Sequence, residues 1–289
     1  MKLLFNLATS FFYGIKMKFD CDANYFNPLH TLDCGQTFRF SPYKEGFLVH
    51  SADKIAYIHS DGVKTVVESD QTDYFYNYFD LDRDYGSIVD EVSAFNIPLL
   101  TKSAQLCKGL RILNQNREEM IYSFIISQNN NIPRIKGIIS RICAALGEKM
   151  SSPFGDYFAF PSSSALASAD ISVFTTAGAG YRDVYLSETS KRICAEGIAC
   201  LESLSTKELK EKLLTYKGIG PKVADCVALF GFRKTDSFPV DTWIEKVYRE
   251  DFNGTEQNRE KIAKYFLDTF GENSGYVQQY LFYGKRLNL

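Results

Sequence analysis

The chain has 289 residues, of which 45% are hydrophobic and 24% charged, and its net charge is −2. That balance suits a globular protein of two or three small domains and argues against one that coats nucleic acid with a uniformly basic surface. Seven cysteines (Cys21, Cys34, Cys107, Cys143, Cys194, Cys200 and Cys226) are scattered without a C-x-x-C pair. This argues against a zinc site, an iron–sulfur cluster or a disulfide scaffold, and it suits reduced thiols in a cytoplasmic protein.

Residues 1–16 combine one leading Lys with a mostly apolar run that Asn6 and Thr9 interrupt. No A-x-A site follows, and the run is too short to span a bilayer. With Met17 just beyond it, this stretch reads as an extension or an over-extended start, and no membrane partner is expected. From about 17 to 85 the texture predicts strands at Thr37–Phe40, Gly46–His50, Ile55–His59 and Val63–Val67. Ser41-Pro42, Lys44-Glu45-Gly46, Ser51-Ala52-Asp53 and Asp61-Gly62 supply the turns, so an antiparallel meander is expected.

From about 88 onward the periodicity becomes helical. Helices are expected from Glu118, over Ile132–Leu146, after a cap at Ser205-Thr206, and over Val223–Phe230, Asn258–Thr269 and Ser274–Tyr283. The class is therefore α+β: a small N-terminal antiparallel sheet domain (17–105) followed by a mainly α-helical domain (106–289). Residues 101–150 carry eight Lys/Arg against three Asp/Glu. Such a run is either a solvated face or a phosphate-facing surface.

The chemistry gathers around residues 213–225. Gly218-Ile219-Gly220 makes a tight turn between two helices, and Pro221 suits the first turn of the second. The freed amides there can grip a phosphate independently of DNA sequence. Lys222 lies at that helix start, where the dipole favours the neutral amine needed for attack on a sugar carbon. Nineteen residues on, Asp241 can stabilise positive charge on that sugar, or simply cap the helix that follows.

The hairpin, Lys222 and Asp241 together resemble the helix–hairpin–helix DNA glycosylase superfamily. Four further stretches resemble its 8-oxoguanine DNA glycosylase members: Gly35-Gln36-Thr37-Phe38-Arg39-Phe40, Ser127 to Arg134, Gly180-Tyr181-Arg182, and Gly275-Tyr276-Val277-Gln278 with Phe282. The resemblance implies a bifunctional glycosylase and abasic-site lyase acting on 8-oxoguanine in duplex DNA opposite cytosine, as a monomer and without a cofactor. It implies that the Gly35 carbonyl accepts the lesion's N7–H, which guanine lacks. Phe282 and Cys226 would sandwich the flipped base, and Gln278 would read its Watson–Crick edge. Asn129 would fill the vacated stack, Tyr181 would wedge beside it, and Arg134 and Arg182 would contact the orphaned cytosine. Gly218 and Gly220 would sit on the DNA backbone, and carbonyls near Leu214, Tyr216 and Ile219 would hold a monovalent cation. In eukaryotic members a His stands two residues after the catalytic Asp; here it is Trp243, as in a bacterial or archaeal type, which puts one phosphate contact in doubt.

Two other readings stay open. A superfamily member with another lesion would usually carry a four-cysteine cluster, which is absent. A non-catalytic hairpin module binding DNA would have no use for Asp241 or Gln278.

Overall fold

A computed structural model describes residues 17–287; the extension at 1–16 lies outside the described residues. The chain runs β1 (Met17–Asp22), α1 (Pro28–Asp33), β2 (Phe40–Tyr43), β3 (Gly46–Ser51), β4 (Lys54–Ser60), β5 (Lys64–Ser69), α2 (Thr72–Tyr78), α3 (Tyr85–Ser93) and α4 (Pro98–Leu106). It continues through α5 (Arg117–Ser127), α6 (Ile132–Leu146), the hairpin β6 (Lys149–Ser152) and β7 (Gly155–Phe158), α7 (Ser163–Ser168), α8 (Ile171–Thr176) and α9 (Arg182–Glu196). The last elements are α10 (Thr206–Leu213), α11 (Pro221–Phe232), α12 (Thr242–Glu250), α13 (Arg259–Phe270) and α14 (Ser274–Arg286).

Strands β1 to β5 form one antiparallel sheet in the order β1-β5-β4-β3-β2. The expected meander is present, and β1 closes its far edge. The first expected strand, Thr37–Phe40, begins instead at Phe40, because the buried Gln36 pins the preceding loop by three side-chain hydrogen bonds to backbone. Pro42 is tolerated because β2 is an edge strand.

Two main cores organise these elements. Phe26, Val49, Ile58, Val67, Phe75, Phe79 and Leu113 form the core of the sheet domain. The larger core takes in α5, α6, α9, α11 and α14, and it also takes in Tyr85, Val92, Leu100 and Ala104 from α3 and α4. A division at 105 follows the texture of the sequence, whereas packing assigns α3 and α4 to the helical body. A buried ion pair ties the two parts: Arg39 meets Glu119 at 3.2 Å, and the same carboxylate accepts the Ala52 N–H at 2.8 Å. Among the described residues no helix is long and apolar enough to cross a membrane.

The basic stretch does not form one surface. Arg111 is 2% exposed and donates to the carbonyls of Tyr25, Phe79, Asp80 and Arg83. Arg117 pairs with Glu202, Lys149 with Asp156, and Arg141 donates to the Ala177 carbonyl. Buried loop carbonyls draw Arg111 inward, whereas Arg117, Arg141 and Lys149 stay exposed.

Candidate active site

The hairpin begins where α10 ends. Gly218 has φ +79 and packs against the Tyr185 ring so tightly that a Cβ would find no room. Gly220 precedes Pro221 at the start of α11, and no side chain caps that helix. Lys210 of α10 reaches Asp225 of α11 at 2.5 Å, which fixes the two helices of the hairpin against each other. Lys222 is thereby held on the first turn of α11, with Nζ 5.6 Å from the centroid of the Phe124 ring.

One turn further along, Cys226 lies on the same helix face as Lys222. Burial pushes its thiol up to about 11; the hydrogen-bonded Lys222 ammonium opposes that shift, and the Asp241 carboxylate adds to it. Lysine, thiol and carboxylate therefore share one local field. Asp241 is also the N-cap of α12, accepting the N–H groups of Trp243 and Ile244 at 3.0 Å each. Both readings of its position are compatible, since capping leaves the second carboxylate oxygen available. Trp243 follows on the exposed side of that first turn, 41% exposed.

Gln278 on α14 closes this side of the site. It is 4% exposed, and its amide donates to the Pro239 carbonyl at 3.3 Å. Its side-chain oxygen is buried without a partner. A buried acceptor left open costs about 1–3 kcal/mol, a cost that a bound hydrogen-bond donor would recover.

Gly35 reaches the same helix from the sheet domain. Its φ of +81 is a left-handed conformation that favours glycine, and the ring of Phe282 lies directly against it. On one side Gln36 is locked into Thr31, Arg111 and Leu113; on the other, Arg286 donates to the Asp33 carbonyl at 2.8 Å. The structure thus sets Gly35 against Phe282 of α14, ties Gln278 of the same helix to Pro239, two residues before Asp241, and groups Lys222, Cys226 and Asp241.

The other expected residues cluster around the turn that follows α5. Asn129 is exposed with φ +44, a conformation asparagine adopts more readily than most residues. Tyr181 is 53% exposed and Arg134 is exposed, its guanidinium 3.3 Å from the Gly178 carbonyl. Arg182 departs from expectation. It is 2% exposed, and its guanidinium donates to the carbonyls of Gln128, Asn129 and Ala179. In this structure it holds the turn under Asn129 rather than standing free for a base.

Comparison with known proteins follows this geometry. Residues 18–121 match the family described as 8-oxoguanine DNA glycosylase, N-terminal domain, and residues 122–271 match the HhH-GPD superfamily base excision DNA repair protein family. The chain belongs to the HhH-GPD superfamily of base excision DNA repair proteins. The 8-oxoguanine glycosylase/lyase of Clostridium acetobutylicum, in complex with duplex DNA containing cytosine opposite 8-oxoguanine, is 36% identical with a TM-score of 0.86, over 91% of this chain and 93% of that one. The structure of MBOgg1 in complex with a low-affinity DNA ligand is 31% identical with a TM-score of 0.88, covering 94% and 96%. The N-glycosylase/DNA lyase of Saccharomyces cerevisiae is 33% identical over 61% of this chain and 50% of its own length. The chain spans between about a third and just over half the length of three of the curated relatives it matches.

Within this HhH-GPD protein, three contributors were not legible beforehand. Gln36 and Gln279 are buried polar side chains and Gln128 is a half-buried one, and this enclosure, which no local spacing announces, is what marks them. Gln279 donates to the Cys34 sulfur at 3.5 Å, beside Gly35. At the outer side of the hairpin a cleft of about 440 Å³ is lined by Glu188, Arg192 and residues 214–219.

Proposed function

We propose that this protein is a bifunctional DNA glycosylase and abasic-site lyase that removes 8-oxoguanine from duplex DNA. The observation that carries the reading is the grouping of Lys222, Cys226 and Asp241 in one local field, with Gln278 of α14 bonded to Pro239 two residues before Asp241 and Phe282 of the same helix packed against Gly35. The neutral amine of Lys222 attacks C1′ of the damaged nucleotide, and the bond to the base breaks as the base takes up a proton. Asp241 stabilises positive charge on the sugar as the base leaves. Loss of the ring oxygen bond gives an imine with Lys222, and β-elimination then expels the 3′ phosphate.

Lesion choice follows from hydrogen-bond polarity. N7 of guanine accepts and would repel the Gly35 carbonyl, whereas the oxidised base carries N7–H and donates. The unpartnered oxygen of Gln278 suits a donor on the flipped base's Watson–Crick edge. Asn129 and Tyr181, exposed on adjacent turns, suit the gap left in the stack, because flipping costs a few kcal/mol that an inserted side chain offsets. Arg134 is the exposed cation for the opposing cytosine. The amides at Gly218 and Gly220 suit the DNA phosphate, with a monovalent cation on the neighbouring carbonyls. Trp243 is assigned to a bacterial or archaeal variant of the family. The protein is placed in the cytoplasm as a monomer.

Borohydride should trap a covalent adduct with duplex DNA containing 8-oxoguanine opposite cytosine, and Lys222→Gln should abolish it. Equal trapping by the variant refutes the nucleophile. Comparable excision of unmodified guanine refutes the lesion choice and leaves the glycosylase reading standing.

A further inference from the structure

Gln128 has been given no role so far, yet three segments meet at it. Its side-chain amide donates to the Ile125 carbonyl at 3.0 Å and to the Gly218 carbonyl at 2.8 Å. Its own backbone carbonyl accepts from Arg182, which also donates to the Asn129 carbonyl at 3.0 Å. Gly218 in turn abuts Tyr185, and the neighbouring Lys217 carbonyl accepts the Thr189 hydroxyl at 2.8 Å. Both hydrogens of the Gln128 amide are therefore given to carbonyls, one at the end of α5 and one in the hairpin.

We propose that Gln128 is a positioning residue that ties the turn carrying Asn129 to the hairpin carrying Lys222. The inference rests on the proposed function, in which Asn129 fills the stack while Lys222 attacks the extruded sugar. In that reading both events act on one nucleotide, so the two side chains need a fixed separation. A loop free to shift against the hairpin would let the base return before attack, and misplacement by an ångström is expensive in rate. A glutamine serves because it donates twice from one planar group; Arg182 secures the turn from below, through the backbone of the same residue.

The test uses the full chain with Gln128→Met, which keeps the shape and removes both donors, and Asn129→Ala. Single-turnover excision of 8-oxoguanine should fall roughly tenfold in Gln128→Met, while borohydride trapping on a preformed abasic site, where no base must be held out, changes by less than about twofold. The double variant should be no slower than the slower single one. A parallel fall in excision and trapping would mean that the hairpin itself is displaced, and overturns the proposal. So does normal excision in Gln128→Met alongside impaired excision in Asn129→Ala. Unchanged excision in Asn129→Ala overturns the reading of the turn as a gap filler, and the tie with it.

Discussion

Phe282 stands so close to Gly35 that a Cβ at residue 35 would lie 3.3 Å from Cε1 of its ring. The contact joins the sheet domain to the last helix and forms one wall of the proposed lesion site. It has two physical components, a left-handed backbone at residue 35 and a half-buried ring in close contact with it.

Gly35→Ala tests both. An L-residue at that φ costs about 1–2 kcal/mol, and the added methyl pushes on Phe282. The melting temperature should fall modestly, and excision of 8-oxoguanine should fall further than the loss of folded protein explains. Excision that merely tracks the folded fraction would show that the ring position is not read by the lesion.

Gln278→Met separates stability from function in the opposite direction. Methionine keeps the volume and removes an acceptor that is buried without a partner. Stability should change by less than about 1 kcal/mol, since removal of the unsatisfied oxygen is offset by loss of the hydrogen bond to the Pro239 carbonyl. Discrimination between 8-oxoguanine and guanine should drop at the same time. Denaturant unfolding together with excision on both substrates checks the pair.

Asp241→Asn keeps the cap and removes the charge. Asparagine caps a helix about as well as aspartate, so unfolding stability should change by less than about 1 kcal/mol. Base excision should fall by about two orders of magnitude, the usual effect of losing one charge-stabilising group. Normal excision with an asparagine at this position would reduce Asp241 to its capping role.

Asp225 gives a pH signature. Burial pushes its carboxyl up to about 6 in spite of Lys210 at 2.5 Å. The folded chain therefore binds this proton more tightly than the unfolded chain, whose carboxyl titrates near 3.9. The stability it contributes is full below about pH 4 and is lost as pH rises through about 6, by about 3 kcal/mol for a shift of two units. Asp225→Asn should flatten that part of the stability curve in thermal melts between pH 4 and 7. An unchanged slope would mean that Glu119, whose carboxyl burial also pushes up, carries the effect.

Much of the fold was open to reading along the chain. The cap at Ser205 lies where turn chemistry places it, and α6, α10, α11, α13 and α14 follow from apolar spacing. The β6–β7 hairpin is not legible in the sequence, because its two strands fully bury no large side chain: Met150 and Tyr157 are half-buried and Phe158 is 38% exposed. Short half-exposed strands carry almost no periodicity. The first strand was placed early because Thr37 and Phe38 are β-formers, and only the packing around Gln36 shows why they are held as a loop.

By itself the sequence determined the hairpin, the lysine at its helix start, the capping carboxylate nineteen residues on, and the α+β class. Each of these depends on local backbone preferences that act within a few residues. Tertiary structure alone decided which distant residues share the site. Gly35 meets Phe282, Gln278 meets Pro239, and Arg182 turns inward to the carbonyls under Asn129. Those outcomes depend on burial and on the need to satisfy every enclosed polar group, which is a property of the packed chain and has no local spacing to announce it.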